Sequence, residues 1–168
     1  TLTEGKPRFE HVIATPGYSE TEVLRLAASL DQGSEHPLAD AIVHAAREQK
    51  LLLESAETFE SITGIGVQGI IANKKLALGN TTLMEQISVA VDSLKLQAEE
   101  LRSSGASVIY LAINDKLAGL LSVSDPIKVS SQEALTQLKL AGIKVIMATG
   151  DGITTAKSVG QHLGIDEV

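Results

Sequence analysis

The hydrophobic spacing along this chain switches twice, and the switches mark its elements. Between residues 19 and 30, Val23, Leu26, Ala27 and Leu30 recur at three- and four-residue intervals, the spacing of one buried helix face. The polar loop DQGSEH follows. A second helix is predicted from Pro37 to about Gln49, with Leu38, Ala39, Ile42, Val43 and Ala46 on one side. Ser34 is its expected N-cap, and Pro37 is tolerated in the first turn. Ahead of both helices, TLTEGKPRFEHVIATPG reads as a short turn and then an extended segment ending at Pro16-Gly17.

From about Ser55 the period becomes two. Val67, Gly69 and Ile71 alternate with Gln68 and Ile70, and Asn73-Lys74 reads as a hairpin turn returning through Leu76 and Leu78. Asn80 opens a short helix over 81–86, and another covers about 91–102. SVIYLAIN and KLAGLLSV form a second hairpin around Asn114-Asp115. These elements predict an antiparallel sheet with helices on one face.

After Val123 the pattern changes again. Asp125 is expected to cap a helix with Pro126 at its first position, a buried stripe of Ala134, Leu135, Leu138 and Ala141, and Gly142 just past its end. IKVIMA reads as a buried strand, TGDG as a loop, and 154–163 as a helix ended by Gly164. Helix, buried strand, loop and helix make the αβα grammar of a parallel sheet. The expected fold class is α/β (α+β). A unit of residues 9–122 is inserted into a second unit built from 1–8 and 123–168.

Composition narrows the chemistry. The 168 residues are 43% hydrophobic but hold only two Tyr, two Phe and no Trp, so the core must be aliphatic. A net charge of -7 argues against nonspecific nucleic-acid or anionic-membrane binding, though not against one bound nucleotide. The chain has no Cys, which excludes disulfides and thiolate metal sites, and no apolar run approaches a membrane span.

Three stretches carry candidate chemistry. Thr149, Gly150 and Asp151 follow IKVIMA, where open α/β sheets place ligands, and the next helix offers its N-terminal amides to anionic oxygens. Asp151 could equally cap that helix. Gly64 and Gly66 flank Ile65: either they serve a turn or bulge, or they let a flat ring approach the backbone. Asn80 is an N-cap or a ligand partner. His36 is either a solvent-facing first-turn residue or a ring beside an aromatic ligand, with Glu35 accepting from an exocyclic amine. Asp40, one turn on, reads as surface charge. The four histidines show no metal-ligand spacing, so no metal site is predicted.

Taken in order, TLTEGKP, SEHPLADAIV, ITGIGVQG, LGN, SDPIK and TGDGITTA resemble the catalytic cytoplasmic part of heavy-metal-transporting P-type ATPases, the copper and silver exporters above all. The resemblance implies a twisted antiparallel nucleotide-binding domain, flanked by helices and inserted into an incomplete haloacid-dehalogenase-like phosphorylation domain. It implies ATP or ADP as ligand, with Glu35, His36, Gly64, Gly66 and Asn80 around the base, and Thr149, Gly150 and Asp151 near the phosphoryl-transfer site. Mg2+ would arrive with ATP. The parent would be an integral membrane enzyme that exports copper or silver through an aspartyl phosphate, partnered by its phosphorylation, actuator and transmembrane domains. The family's DKTG nucleophile and GDGxND element are not among these residues, so this chain is expected to bind ATP weakly or not at all, and without turnover. A haloacid-dehalogenase-like phosphohydrolase with a cap domain, and a noncatalytic nucleotide-responsive module, are the alternatives.

Overall fold

A computed structural model describes residues 2–149, 153–165 and 167–168. In chain order the elements are β1 (Arg8–Ala14), α1 (Glu20–Asp31), α2 (Pro37–Glu48), β2 (Thr58–Ile62), β3 (Gly66–Ile71), β4 (Lys74–Gly79) and α3 (Thr81–Gln86). A 3-10 turn at Asp92–Leu94 leads into α4 (Lys95–Ser103), followed by β5 (Ser107–Ile113), β6 (Lys116–Ser124), α5 (Val129–Leu140) and α6 (Ile153–Leu163). The strands form one six-stranded antiparallel sheet in the order β1-β6-β5-β4-β3-β2.

Local chemistry sets the hairpins. Asn114 and Asp115 both take left-handed φ values, 48° and 60°, as a two-residue hairpin whose turn matches the strand twist requires. The β3–β4 turn is Ala72-Asn73, with φ 48° and 61°, one residue earlier than Asn73-Lys74. The register explains the shift: Ile71 pairs with Lys74, which places Ile71, Leu76 and Leu78 in the same core.

That core lies between one sheet face and α1–α2. Leu24, Leu26 and Leu30 of α1 are almost fully buried there, each burial worth on the order of 2 kcal/mol. Ser19 caps α1 by accepting the Glu22 N–H at 3.1 Å. Ala77, Tyr110, Ala112 and Leu120 point the other way, onto Leu83 and Met84 of α3 and Ala98 of α4. Helices therefore cover both faces, not one, and the middle strands β4 to β6 are buried almost throughout.

The two chain ends meet in a third, smaller cluster, where Leu135, Leu163 and Ile165 pack with Leu2, Ile127 and Val145. Here the sequence reading needs correcting in two places. Asp125 does not cap α5: its carboxylate accepts the Lys6 N–H at 3.1 Å, while the Glu4 N–H donates to the Pro126 carbonyl, so 125–128 is drawn against the N-terminal segment and α5 begins at Val129. Of the expected α5 stripe only Leu135 is buried; Ala134, Leu138 and Ala141 are exposed. IKVIMA is not a buried strand either. Ile143 and Ile146 are exposed, and Ile146 makes a single parallel bridge to Glu167. A strand is stabilised by ladders to its neighbours, and one isolated bridge cannot replace them. α6 forms as expected and ends at Gly164, whose φ is +65°. Among the described residues no helix is long and apolar enough to cross a membrane.

Candidate functional site

The sheet has one irregular corner, where the turn at 63–65 between β2 and β3 meets the β4–α3 junction. Gly66 and Gly79 face each other across β3 and β4. A Cβ on Gly66 would stand 2.6 Å from the Gly79 Cα and 2.8 Å from a Leu83 methyl, and its φ of +149° further disfavours a side chain. Gly66 thus serves close backbone packing. Gly64 differs: its φ is +78° and nothing lies within 4 Å of where a Cβ would stand, so its backbone faces open space.

Asn80 fastens this corner. Its N–H donates to the Ile65 carbonyl at 2.9 Å and its Nδ2 to the Gly64 carbonyl at 3.0 Å. Its Oδ1 accepts the Leu83 N–H at 3.2 Å, which caps α3. Asn80 is therefore a positioning residue, tying the turn to a helix start.

The second candidate group lies on the loop between α1 and α2. His36, not Ser34, is the N-cap of α2: its Nδ1 accepts the Leu38 N–H at 3.2 Å. Ser34 instead accepts the His36 N–H at 3.2 Å, and Pro37, which has no N–H, occupies the first helical position. With Nδ1 accepting, the neutral ring carries its proton on Nε2, and this exposed side chain offers a donor to a ligand. Glu35 beside it is exposed, and its carboxylate has no hydrogen bond or ion pair among the described residues. Asp40 is exposed on the first turn of α2.

A contact that spacing did not reveal joins this loop to the sheet. A Cβ on Gly33 would meet three atoms of the Phe59 ring at 3.0 to 3.1 Å, so the ring lies close against the Gly33 backbone. Phe59 stands on β2, which runs on to the 63–65 turn. The loop carrying Glu35 and His36 therefore rests on the strand that delivers Gly64. Phe59 is 37% exposed, an aromatic ring available on a chain that has few.

Asp31, at the end of α1, was also missed. It is 6% exposed, and burial pushes its carboxyl up from 3.8 to about 7. Burial thus favours the neutral carboxyl, which can donate as well as accept. A signal existed: Asp31 lies four residues beyond Ala27 and seven beyond Leu24, on the buried stripe of α1. A costly buried carboxyl three residues ahead of Ser34, whose N–H donates to the Asp31 backbone carbonyl at 3.0 Å, marks a candidate site on physical grounds.

Thr149 is described but belongs to neither group, and Gly150 and Asp151 lie outside the described residues. Among the described residues no group of three or more His, Asp or Glu could hold a metal ion. The Gly33–Phe59 contact thus joins the loop that carries Glu35 and His36 to β2, the strand that leads to the open backbone at Gly64. None of these side chains is cationic, so the set suits a polar aromatic ring better than a phosphate.

The family described as haloacid dehalogenase-like hydrolase matches residues 1–168. Over all 168 residues the chain is 45% identical to a copper-exporting P-type ATPase of Legionella pneumophila and 41% identical to a silver exporting P-type ATPase of Salmonella typhimurium. It spans 23% and 20% of those proteins, about a fifth of their length. Among solved structures, a zinc-transporting PIB-type ATPase in an E2.Pi state superposes with a TM-score of 0.75 at 30% identity, over 100% of this chain and 27% of that one. The N-domain of HMA6, a copper-transporting P-type ATPase, gives a TM-score of 0.61 at 31% identity, over 71% of this chain and 99% of that domain. The chain belongs to the haloacid dehalogenase-like hydrolase family and, within it, to the P-type ATPases.

Proposed function

We propose that the chain is the ATP-reading part of a P-type ATPase that exports copper, or silver, through an aspartyl-phosphate intermediate. The observation that carries the proposal is the Gly64–Asn80 corner, joined through β2 to the Asp31–His36 loop: an open backbone with donors and acceptors for a base and no cation for phosphate. In this reading residues 9–122 form the nucleotide-binding domain, and residues 1–8 with 123–168 contribute to the phosphorylation domain. The third hydrophobic cluster, drawn from both chain ends, and the extent of the match to the HMA6 N-domain support that division.

The roles follow from the chemistry. Gly64 lets the ring lie against the turn, and Asn80 holds that turn in place. His36 offers Nε2–H. Asp31 and Glu35 take the amine edge of adenine; a protonated Asp31 could also donate to a ring nitrogen. Gly66 keeps β3 and β4 close enough to form the corner. The triphosphate would be left free of this group, with Mg2+ arriving alongside it, and the resemblance to the family assigns its handling to Thr149, Gly150 and Asp151. Actuator and transmembrane domains of the longer protein would complete the cycle.

Competition calorimetry tests the base-reading claim. ATP, ADP and AMP should bind this chain with affinities within about tenfold of one another, a span of 1.4 kcal/mol. Inorganic triphosphate should not compete. Strong competition by triphosphate, or no binding by AMP, would refute a base-centred site.

A further inference from the structure

Helix α6 is fastened to the junction of α4 and β5 by two hydroxyls. Thr155 Oγ1 donates to the Ala106 carbonyl at 3.0 Å, and Ser158 Oγ donates to the Ser103 carbonyl at 2.7 Å. Thr155 is 5% exposed and Ala156 beside it is buried. Val159 stands 3.6 Å from where a Cβ on Gly105 would be, so an apolar contact lies within the same patch. Thr155 and Ser158 are three residues apart and share one helix face. Both acceptors belong to the corner between α4 and β5. Ser103 ends α4, where carbonyls lack partners within the helix, so α6 supplies donors that the corner would otherwise draw from water.

This corner leads to the proposed base site through β5 and one strand pairing. Ala106 immediately precedes β5, and Tyr110 of β5 pairs with Gly79 of β4, the neighbour of Asn80. Residues 149–151, which the resemblance to the family ties to phosphoryl transfer, precede α6 in the chain. A base held at one place and a phosphoryl group handled at another require a defined span between them.

We propose that Thr155 and Ser158 are positioning residues that latch α6 in one orientation relative to the Gly64–Asn80 corner. The purpose of the latch rests on the ATP-reading function; its existence does not. Two neutral hydrogen bonds and a small apolar contact fix a joint while leaving it releasable, as a cycle of domain closure and opening requires.

The chain has no cysteine, which makes the test direct. Glu85→Cys and Lys157→Cys, both at exposed positions, place spin labels on α3 and α6 of the full 168-residue chain. Pulsed electron–electron resonance should give one narrow distance distribution. Adding Thr155→Val and Ser158→Ala should at least double its width, and Thr155→Ser in the Ser158→Ala background should restore most of the narrowing, because it keeps the hydroxyl. A distribution as narrow in the Thr155→Val/Ser158→Ala variant as in the parent overturns the proposal. If that variant fails to fold, Ser158→Ala alone decides: broadening supports the latch, and unchanged width overturns it. ATP titrations of the same proteins keep the two claims apart. Loss of Gly64 shifts in the parent would count against base binding and leave the distance result standing.

Discussion

Asp31→Asn separates stability from ligand reading at one buried atom group. The Asp31 carboxyl is 6% exposed, and its pKa rises from 3.8 to about 7 because burial penalises the charged form. The folded state therefore holds this proton more tightly than the unfolded chain does. Between about pH 4 and pH 7 the folded state carries more protons, so stability falls as pH rises through that window and levels off above it. A difference of about three units at 1.36 kcal/mol per unit sets the loss at roughly 4 kcal/mol, as an upper bound. Asparagine has nearly the shape of the neutral acid and cannot ionise. Urea denaturation should find wild type and Asp31→Asn within about 1 kcal/mol at pH 4.5, and the variant more stable by about 1 to 4 kcal/mol at pH 8. The same variant should bind ATP less tightly at pH 8, because a group kept at a stability cost in a binding site trades stability for function. Parallel stability curves for the two proteins from pH 4.5 to 8 would refute the reasoning about Asp31.

Three other substitutions probe neighbouring parts of the account. Asn80→Ala removes the α3 cap and the bond to the Gly64 carbonyl, and should cost about 1 to 2 kcal/mol in chemical denaturation while speeding amide exchange at Gly64 to Gly66. Gly66→Ala drives a Cβ into the Gly79 backbone and should cost more than about 2 kcal/mol; a melting temperature within a degree of wild type would contradict the close approach of β3 and β4. Ser122 is fully buried in β6 with no partner for its hydroxyl among the described residues, so Ser122→Ala should be neutral or stabilising by up to about 1 kcal/mol, and marked destabilisation would reveal a partner.

What the sequence disclosed was what local physics decides. α1 and α2 follow from apolar spacing, and the Asn114-Asp115 turn from residues that tolerate left-handed φ. What it withheld depended on distant partners. Asp125 read as a cap until the Lys6 N–H, far away in the chain, took its carboxylate. Ile143 and Ile146 read as strand because their apolar run says nothing about whether neighbouring strands are present. The same limit governed the site. Glu35, His36, Gly64 and Asn80 stood out as residue types in an ordered series. The cap made by His36 Nδ1, the bond from Asn80 to Gly64 and the seat of Phe59 against Gly33 needed the fold. Asp31 reads as the first residue of the polar loop DQGSEH, although its place on the α1 stripe already marked it as buried.

The central claim is that a nucleotide base sits between the Gly64 turn and the Asp31–His36 loop. Amide chemical shifts of the isotopically labelled chain, followed through an ATP titration, test it most directly. The expected result is saturable shifts concentrated at residues 31–36, 59–66 and 80, with His36→Ala weakening binding while leaving the rest of the spectrum in place. Shifts confined to α5 and α6, or none at millimolar ATP, would contradict it.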